Sequence, residues 1–362
     1  MSDECPRCRE YEMKGCSFCG SCGRRLVPAA EDERINTSYG PSGDQQQPLL
    51  QSSPGSFIET VLLAISIVII IVAVFEVITL AVNFSDIFSF LSNVSMNFIV
   101  IVPFPHTLFY MGGAALQAYW VIVSAIIVAC VLYMVLEFVN AAGSHGGITQ
   151  SGNAEKTAAF WICISLSVMF LFNFIVILLT SAAGSDIEVP DMGSTIQQMF
   201  LVGEAAVWEE IITRMLYIGV PLAVISLIVT QKKESLKCLL GGFGMSRASI
   251  AFIIISGVIF GLAHYPGWEQ QAWKVVTAGA MGMFLGYMFV RFGLYASILL
   301  HFVNNYLSSF NWMGVGGLTM TISFVLLGTG FVALIYIIIR ILDSKKTITS
   351  LPWFHNKYIK SE

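Results

Sequence analysis

Six side chains in the second half of the chain have types and spacings suited to chemistry. Trp208-Glu209-Glu210-Ile211-Ile212-Thr213-Arg214 sits in a strongly apolar stretch. On a helix Glu210 and Arg214 are i,i+4 neighbours and can pair. Glu209 points about 100° away from Glu210, so it stays available for chemistry while its neighbour is structural. Phe260-Gly261-Leu262-Ala263-His264 ends another apolar stretch, with Pro266 and Gly267 close behind as helix-ending residues. His301-Phe302-Val303-Asn304-Asn305 lies in a third, and His301 and Asn305 are one turn apart on one face. Ionisable groups in lipid are expensive and mark function by default. A carboxylate here can act as a base; two His and a Glu could also hold zinc with one position open.

Composition explains what must position these groups. Of the 362 residues, 56% are hydrophobic and 12% charged, about half the charged share of soluble domains. The apolar residues come in blocks of transmembrane length. About eight spanning helices are expected, near 57–82, 117–139, 158–180, 198–230, 248–264, 272–291, 295–311 and 317–342. The fold class is therefore an all-α polytopic membrane bundle. Pro221 should kink the long fourth span. Ile87–Val102 carries several Ser and Asn residues and reads as interfacial or re-entrant rather than as a ninth span; the membrane part has no strand pattern. Glu76 and Glu137 should snorkel or pair near span ends. Gly279, Gly282 and Gly286 should let helices approach closely.

Residues 1–26 form a Cys-rich module, 27–55 a disordered linker, 56–343 the membrane domain with its motif core at 196–310, and 344–362 a basic tail. Cys5, Cys8, Cys19 and Cys22 form two Cys-x-x-Cys knuckles, the soft tetrahedral set of a structural zinc. The module resembles a zinc ribbon. Cys16 makes an alternative pair with Cys19. A disulfide-rich extracellular module is the competing reading, and no secretory signal precedes it. The hydrophobic block starting near Phe57 is expected to remain as a signal anchor.

Taken in order, Glu209-Glu210-x-x-x-Arg214, Phe260-x-x-x-His264 and His301-x-x-x-Asn305 resemble the three motifs of the CPBP family of CAAX proteases and bacteriocin-processing enzymes. Gly282-x-x-x-Gly286 and Gly293-Leu294 also resemble that family's approach to its last motif. The resemblance implies an intramembrane peptidase. Glu209 would activate water, His264 would help to hold it, His301 and Asn305 would donate to the oxyanion, and Glu210 and Arg214 would brace the site. It leaves open whether a catalytic metal takes part, although Asn305 suits an oxyanion donor better than a zinc ligand. The partners expected are the lipid bilayer and a membrane-associated protein or peptide substrate, prenylated ones among the candidates. The net charge of −4 gives no lead toward nucleic acid, and none is expected. A non-enzymatic scaffold, and a transporter or proton relay, compete for the same polar cluster.

Thiolate ligands favour a reducing compartment, which puts the N-terminus, and after eight spans the C-terminus, in the cytosol. Lys232, Lys233, Lys237, Arg247, Lys345 and Lys346 then fall inside, and Asp186, Glu188 and Asp191 outside, the positive-inside pattern. His264 would lie at the outer end of its span.

Overall fold

A computed structural model describes residues 54–101, 105–144, 147–149, 152–188, 190, 192–231, 233–312 and 314–343. The ribbon cysteines, the linker and the basic tail lie outside these residues.

The membrane domain is a helix bundle. In chain order it contains α1 (Pro54–Leu91), a hairpin of β1 (Ser95–Ile101) and β2 (Pro105–Gly112), α2 (Ala114–Gly143) and α3 (Ala158–Ala182). Then follow α4 (Thr195–Glu210), a π-helical segment (Ile211–Gly219) and α5 (Val220–Thr230), which run as one 36-residue rod. A 3-10 turn (Lys233–Leu240) leads to α6 (Arg247–Gly267), α7 (Ala272–Phe292), α8 (Leu294–Tyr306), α9 (Ser309–Trp312) and α10 (Gly316–Asp343). Seven helices among the described residues are long and apolar enough to cross a membrane. The eighth expected span, 295–311, is divided instead. α8 has 13 residues, about 20 Å of helix, and α9 follows after a two-residue turn.

Local chemistry sets the helix starts. Thr157 caps α3 by accepting from Phe160 N–H at 3.4 Å, and Ser194 caps α4 by accepting from Gln197 N–H at 3.3 Å. Ser246 and Ser249 form a reciprocal capping box at α6. Gly293 turns α7 into α8 with φ +113, a conformation that L side chains rarely adopt.

α6 and α7 pack through glycine. A Cβ at Gly261 would stand 2.5 Å from the Val275 carbonyl and 2.9 Å from the Gly279 Cα. Both are backbone atoms and cannot swing aside. Gly261→Ala should therefore cost about 1–3 kcal/mol through overpacking and shift the helix that carries His264. Thermal unfolding of the detergent-solubilised variant would measure it; an unchanged Tm would contradict it.

Other expectations need correction or refinement as well. The segment after α1 contains an antiparallel hairpin, where no strand was expected. Its Ser and Asn residues hid a short apolar alternation. Phe98 is buried between Phe109, Tyr119 and Trp208 at ring distances of 4.8, 4.9 and 5.0 Å. In the fourth span a π segment, Ile211–Gly219, comes just before Pro221, which lies in the first turn of α5 within the same continuous rod. Glu76 does not snorkel: it is fully buried and neither carboxylate oxygen has a partner in the structure. Glu137 does pair, accepting from Ala158 N–H at 2.8 Å and the Tyr295 hydroxyl at 3.1 Å. Cys130, Cys163 and Cys238 are buried, as small hydrophobes should be.

The bundle has two distinct ends. Glu155, just before α3, pairs with Arg340 near the end of α10 and acts electrostatically on Glu59 near the start of α1. The first and last spans thus share one end. The hairpin, the 183–194 loop and the α6–α7 turn belong to the other. There Glu188 is held above the ordinary carboxylate range by the hydrogen bond its protonated form donates to Glu269 and by the negative charge of that neighbour.

Candidate active site

Three helices meet at the motif residues. Glu210 and Arg214 are fully buried, with Nε of Arg214 3.1 Å from Oε2 of Glu210. The same carboxylate receives Ser297 Oγ–H at Oε2 and lies 2.9 Å from His301 Nδ1 at Oε1. Arg214 Nη1 donates to Ser256 Oγ at 2.6 Å, and Ser256 in turn donates to the Thr213 carbonyl at 3.0 Å. The guanidinium also lies 4.9 Å from the Phe260 ring centre. Glu210 thereby ties α4, α8 and, through Arg214, α6 into one brace. Its charge is compensated by partners on all sides, which a buried carboxylate requires.

Glu209 is placed differently. Its side chain is 30% exposed and its Oε2 is 3.8 Å from His301 Nε2. That oxygen is buried and makes no hydrogen bond within the protein. The fixed lattice around Glu210 thus stands beside a carboxylate that is not committed to the fold.

Each imidazole is oriented through Nδ1. His264 Nδ1 is 2.8 Å from the Phe260 carbonyl. A carbonyl only accepts, so Nδ1 carries the proton and the neutral ring presents Nε2 as an acceptor. In His301 a carboxylate takes the contact with Nδ1, leaving Nε2 toward Glu209. The Phe260 ring lies between the two, at 4.7 Å from His264 and 5.9 Å from His301.

Glu209, His264, His301 and Asn305 line a common cavity of about 750 Å³. Met96 of the hairpin, Pro190, Met192 and Trp268 also line it, so it lies toward the end of the bundle away from Arg340. Asn305 Oδ1 accepts from Asn304 Nδ2 at 3.0 Å, a bond that leaves its own Nδ2 uncommitted. Among the described residues no three His, Cys, Asp or Glu side chains converge as a metal site.

Two cavity residues were missed in the sequence reading. Glu204 is buried and accepts from the Tyr119 hydroxyl at 3.0 Å. Its presence in an apolar span was the signal that could have found it. Lys274, in the first turn of α7, also lines the cavity, with Nζ 3.7 Å from the Trp268 ring centre. The indole stands at the end of the preceding helix, which no local pattern reveals. The hairpin is part of the setting too: Trp208, the residue before Glu209, donates from Nε1 to the Ile99 carbonyl at 3.1 Å.

Fold and site together define a polytopic membrane protein with a carboxylate and imidazole cavity built among its helices. Residues 193–307, roughly a third of the chain, match the family model described as type II CAAX prenyl endopeptidase Rce1-like. That stretch contains all six motif residues. No curated protein and no solved structure matches the chain.

Proposed function

We propose that the protein is an intramembrane endopeptidase that hydrolyses a peptide bond of a membrane-associated substrate. The observation that carries this reading is the contrast between the two adjacent carboxylates. Glu210 is enclosed by Arg214, His301 and Ser297, whereas Glu209 faces the cavity with an oxygen that makes no hydrogen bond within the protein.

Glu209 takes a proton from water as the water oxygen bonds to the scissile carbonyl carbon. His264 Nε2 accepts the water's other hydrogen and fixes its direction. Asn305 Nδ2 donates to the developing oxyanion. His301 adds a second donor from Nε2 when its ring carries both protons, with carboxylates beside both nitrogens. The C–N bond then breaks and Glu209 returns its proton to the leaving amine. The water oxygen ends in the new carboxyl group. Arg214 and Glu210 position His301 and do not touch the reacting atoms.

The name of the matching family supplies a prenylated C-terminal segment as the first substrate to try. The test is to incubate the reconstituted protein with a prenylated peptide and its unprenylated twin in water enriched in heavy oxygen. Mass spectrometry should find one heavy oxygen in the new carboxyl terminus. Uptake of no label during cleavage would overturn direct hydrolysis. Asn305→Ala should slow cleavage by about a hundredfold or more, the usual worth of an oxyanion donor. An unchanged kcat would remove Asn305 from this role.

We propose that the end carrying Lys237, Arg247, Arg291 and Arg340 is cytosolic, so that the cavity lies toward the opposite face. This favours a substrate embedded in, or exported across, the membrane. Cysteines placed singly at 267 and 233, in a background without native cysteines, would decide it. A Cβ at Gly267 meets nothing within 4 Å, so the substitution is tolerated. An impermeant thiol reagent on intact cells should label position 267 and spare 233; the reverse labelling would overturn the assignment.

For the N-terminal module, we propose one structural zinc held by Cys5, Cys8, Cys19 and Cys22, without a part in the hydrolysis. Four thiolates close the coordination shell.

A further inference from the structure

A second cavity, of about 600 Å³, lies at the opposite end of the bundle, and the peptidase reading makes no use of it. Its wall brings together Lys156, Arg291 and Arg340 with Glu137 and Glu155. Both carboxylates are already engaged. Glu137 caps α3 and receives Tyr295. Glu155 accepts from the Tyr336 hydroxyl and pairs with Arg340.

Two of the three cations have only neutral hydrogen-bond partners. Arg291 donates to the Tyr287 hydroxyl at 2.5 Å and to the Glu155 backbone carbonyl at 2.9 Å. Lys156 donates to the Asn153 side-chain carbonyl at 2.8 Å. The Arg291 guanidinium lies 4.2 Å from the Trp161 ring centre, which shields its face and leaves edge N–H groups for a ligand. A planar fork beside a point charge suits the oxygens of a phosphate.

The setting identifies the source of that phosphate. The cavity stands where α3 begins and α7 and α10 end, at the level where headgroups meet spanning helices. Tyr133 and Tyr295 flank it, as tyrosines do at membrane interfaces. Leu132 and Leu136, on α2 beside Tyr133, are exposed and give acyl chains an apolar track. Basic pockets between helices at a cytosolic interface are suited to anionic lipid headgroups. We propose that this cavity binds the headgroup phosphate of an anionic phospholipid, with Arg291 and Lys156 as its donors.

The test uses the full chain, delipidated in neutral detergent, and measures retained lipid by native mass spectrometry together with Tm. Phosphatidylglycerol, phosphatidylcholine and inorganic phosphate are added separately. Phosphatidylglycerol should be retained about tenfold or more over phosphatidylcholine and should raise Tm. Arg291→Gln and Lys156→Gln should each reduce that preference about fivefold, the usual effect of one interfacial cation. Lys156 is exposed, so its variant keeps the fold even if Arg291→Gln does not. Equal retention of the two lipids would overturn the proposal. So would a preference that persists in Lys156→Gln, or a Tm rise with inorganic phosphate and none with phosphatidylglycerol.

Discussion

Replacing Glu209 by Gln is expected to lower kcat/KM by about a hundred- to ten-thousandfold, the range supplied by a positioned general base, and to leave the protein folded. Gln keeps the shape of Glu and cannot take a proton from water. The fold should register the change little, because Oε2 of Glu209 has no hydrogen bond within the protein to lose, its contact with His301 Nε2 is 3.8 Å, and the side chain is part exposed. The measurement is peptide cleavage by reconstituted enzyme, with Tm recorded on the same preparation. Activity close to that of the unsubstituted protein would remove Glu209 as the base. A collapse of Tm would show instead that the residue is structural.

Arg214→Met should have the largest effect on stability, about 3–5 kcal/mol, the usual result of removing one partner of a buried ion pair. Both side chains are fully buried, so water cannot take over from the guanidinium. Glu210 would keep Ser297 and His301 but lose its permanent countercharge. Ser256 would lose its donor from Arg214, and α6 one of its two polar ties to the π segment, the bond from Ser256 to the Thr213 carbonyl remaining. The double variant Glu210→Gln with Arg214→Met removes the stranded charge and should unfold at a higher temperature than Arg214→Met alone. Thermal unfolding in detergent compares the three proteins. A single variant as stable as the unsubstituted protein, or a double variant less stable than the single, would contradict the account.

The sequence carried the local geometry of the site well. An i,i+4 spacing on a helix is enough to bring Glu210 and Arg214 together, and the structure has them 3.1 Å apart. The glycines of α7 likewise foretold a close crossing, because small residues permit backbone approach whichever helix lies opposite. The hairpin was hidden for a physical reason. The apolar alternation is confined to β1, β2 carrying the unbroken run Leu108-Phe109-Tyr110-Met111, and the hairpin's order comes from Phe98 packing on Tyr119 and Trp208, residues remote in the chain. The assignment of Glu76 to a span end failed because a linear reading does not say which face of a helix meets protein.

By itself the sequence determined that the chain folds as apolar helices in lipid, where most of them begin and end, though α1 runs to Leu91 rather than residue 82, and which ionisable groups they carry. Those properties depend on length, hydropathy and one-turn spacings. Tertiary structure alone decided that His301 would meet Glu210 from 91 positions away, leaving Glu209 uncommitted, and that Glu204 and Lys274 would line the same cavity. In a membrane the buried and lipid-facing sides of a helix are both apolar, so no polar stripe records which faces pair. The contacts between helices fix that choice.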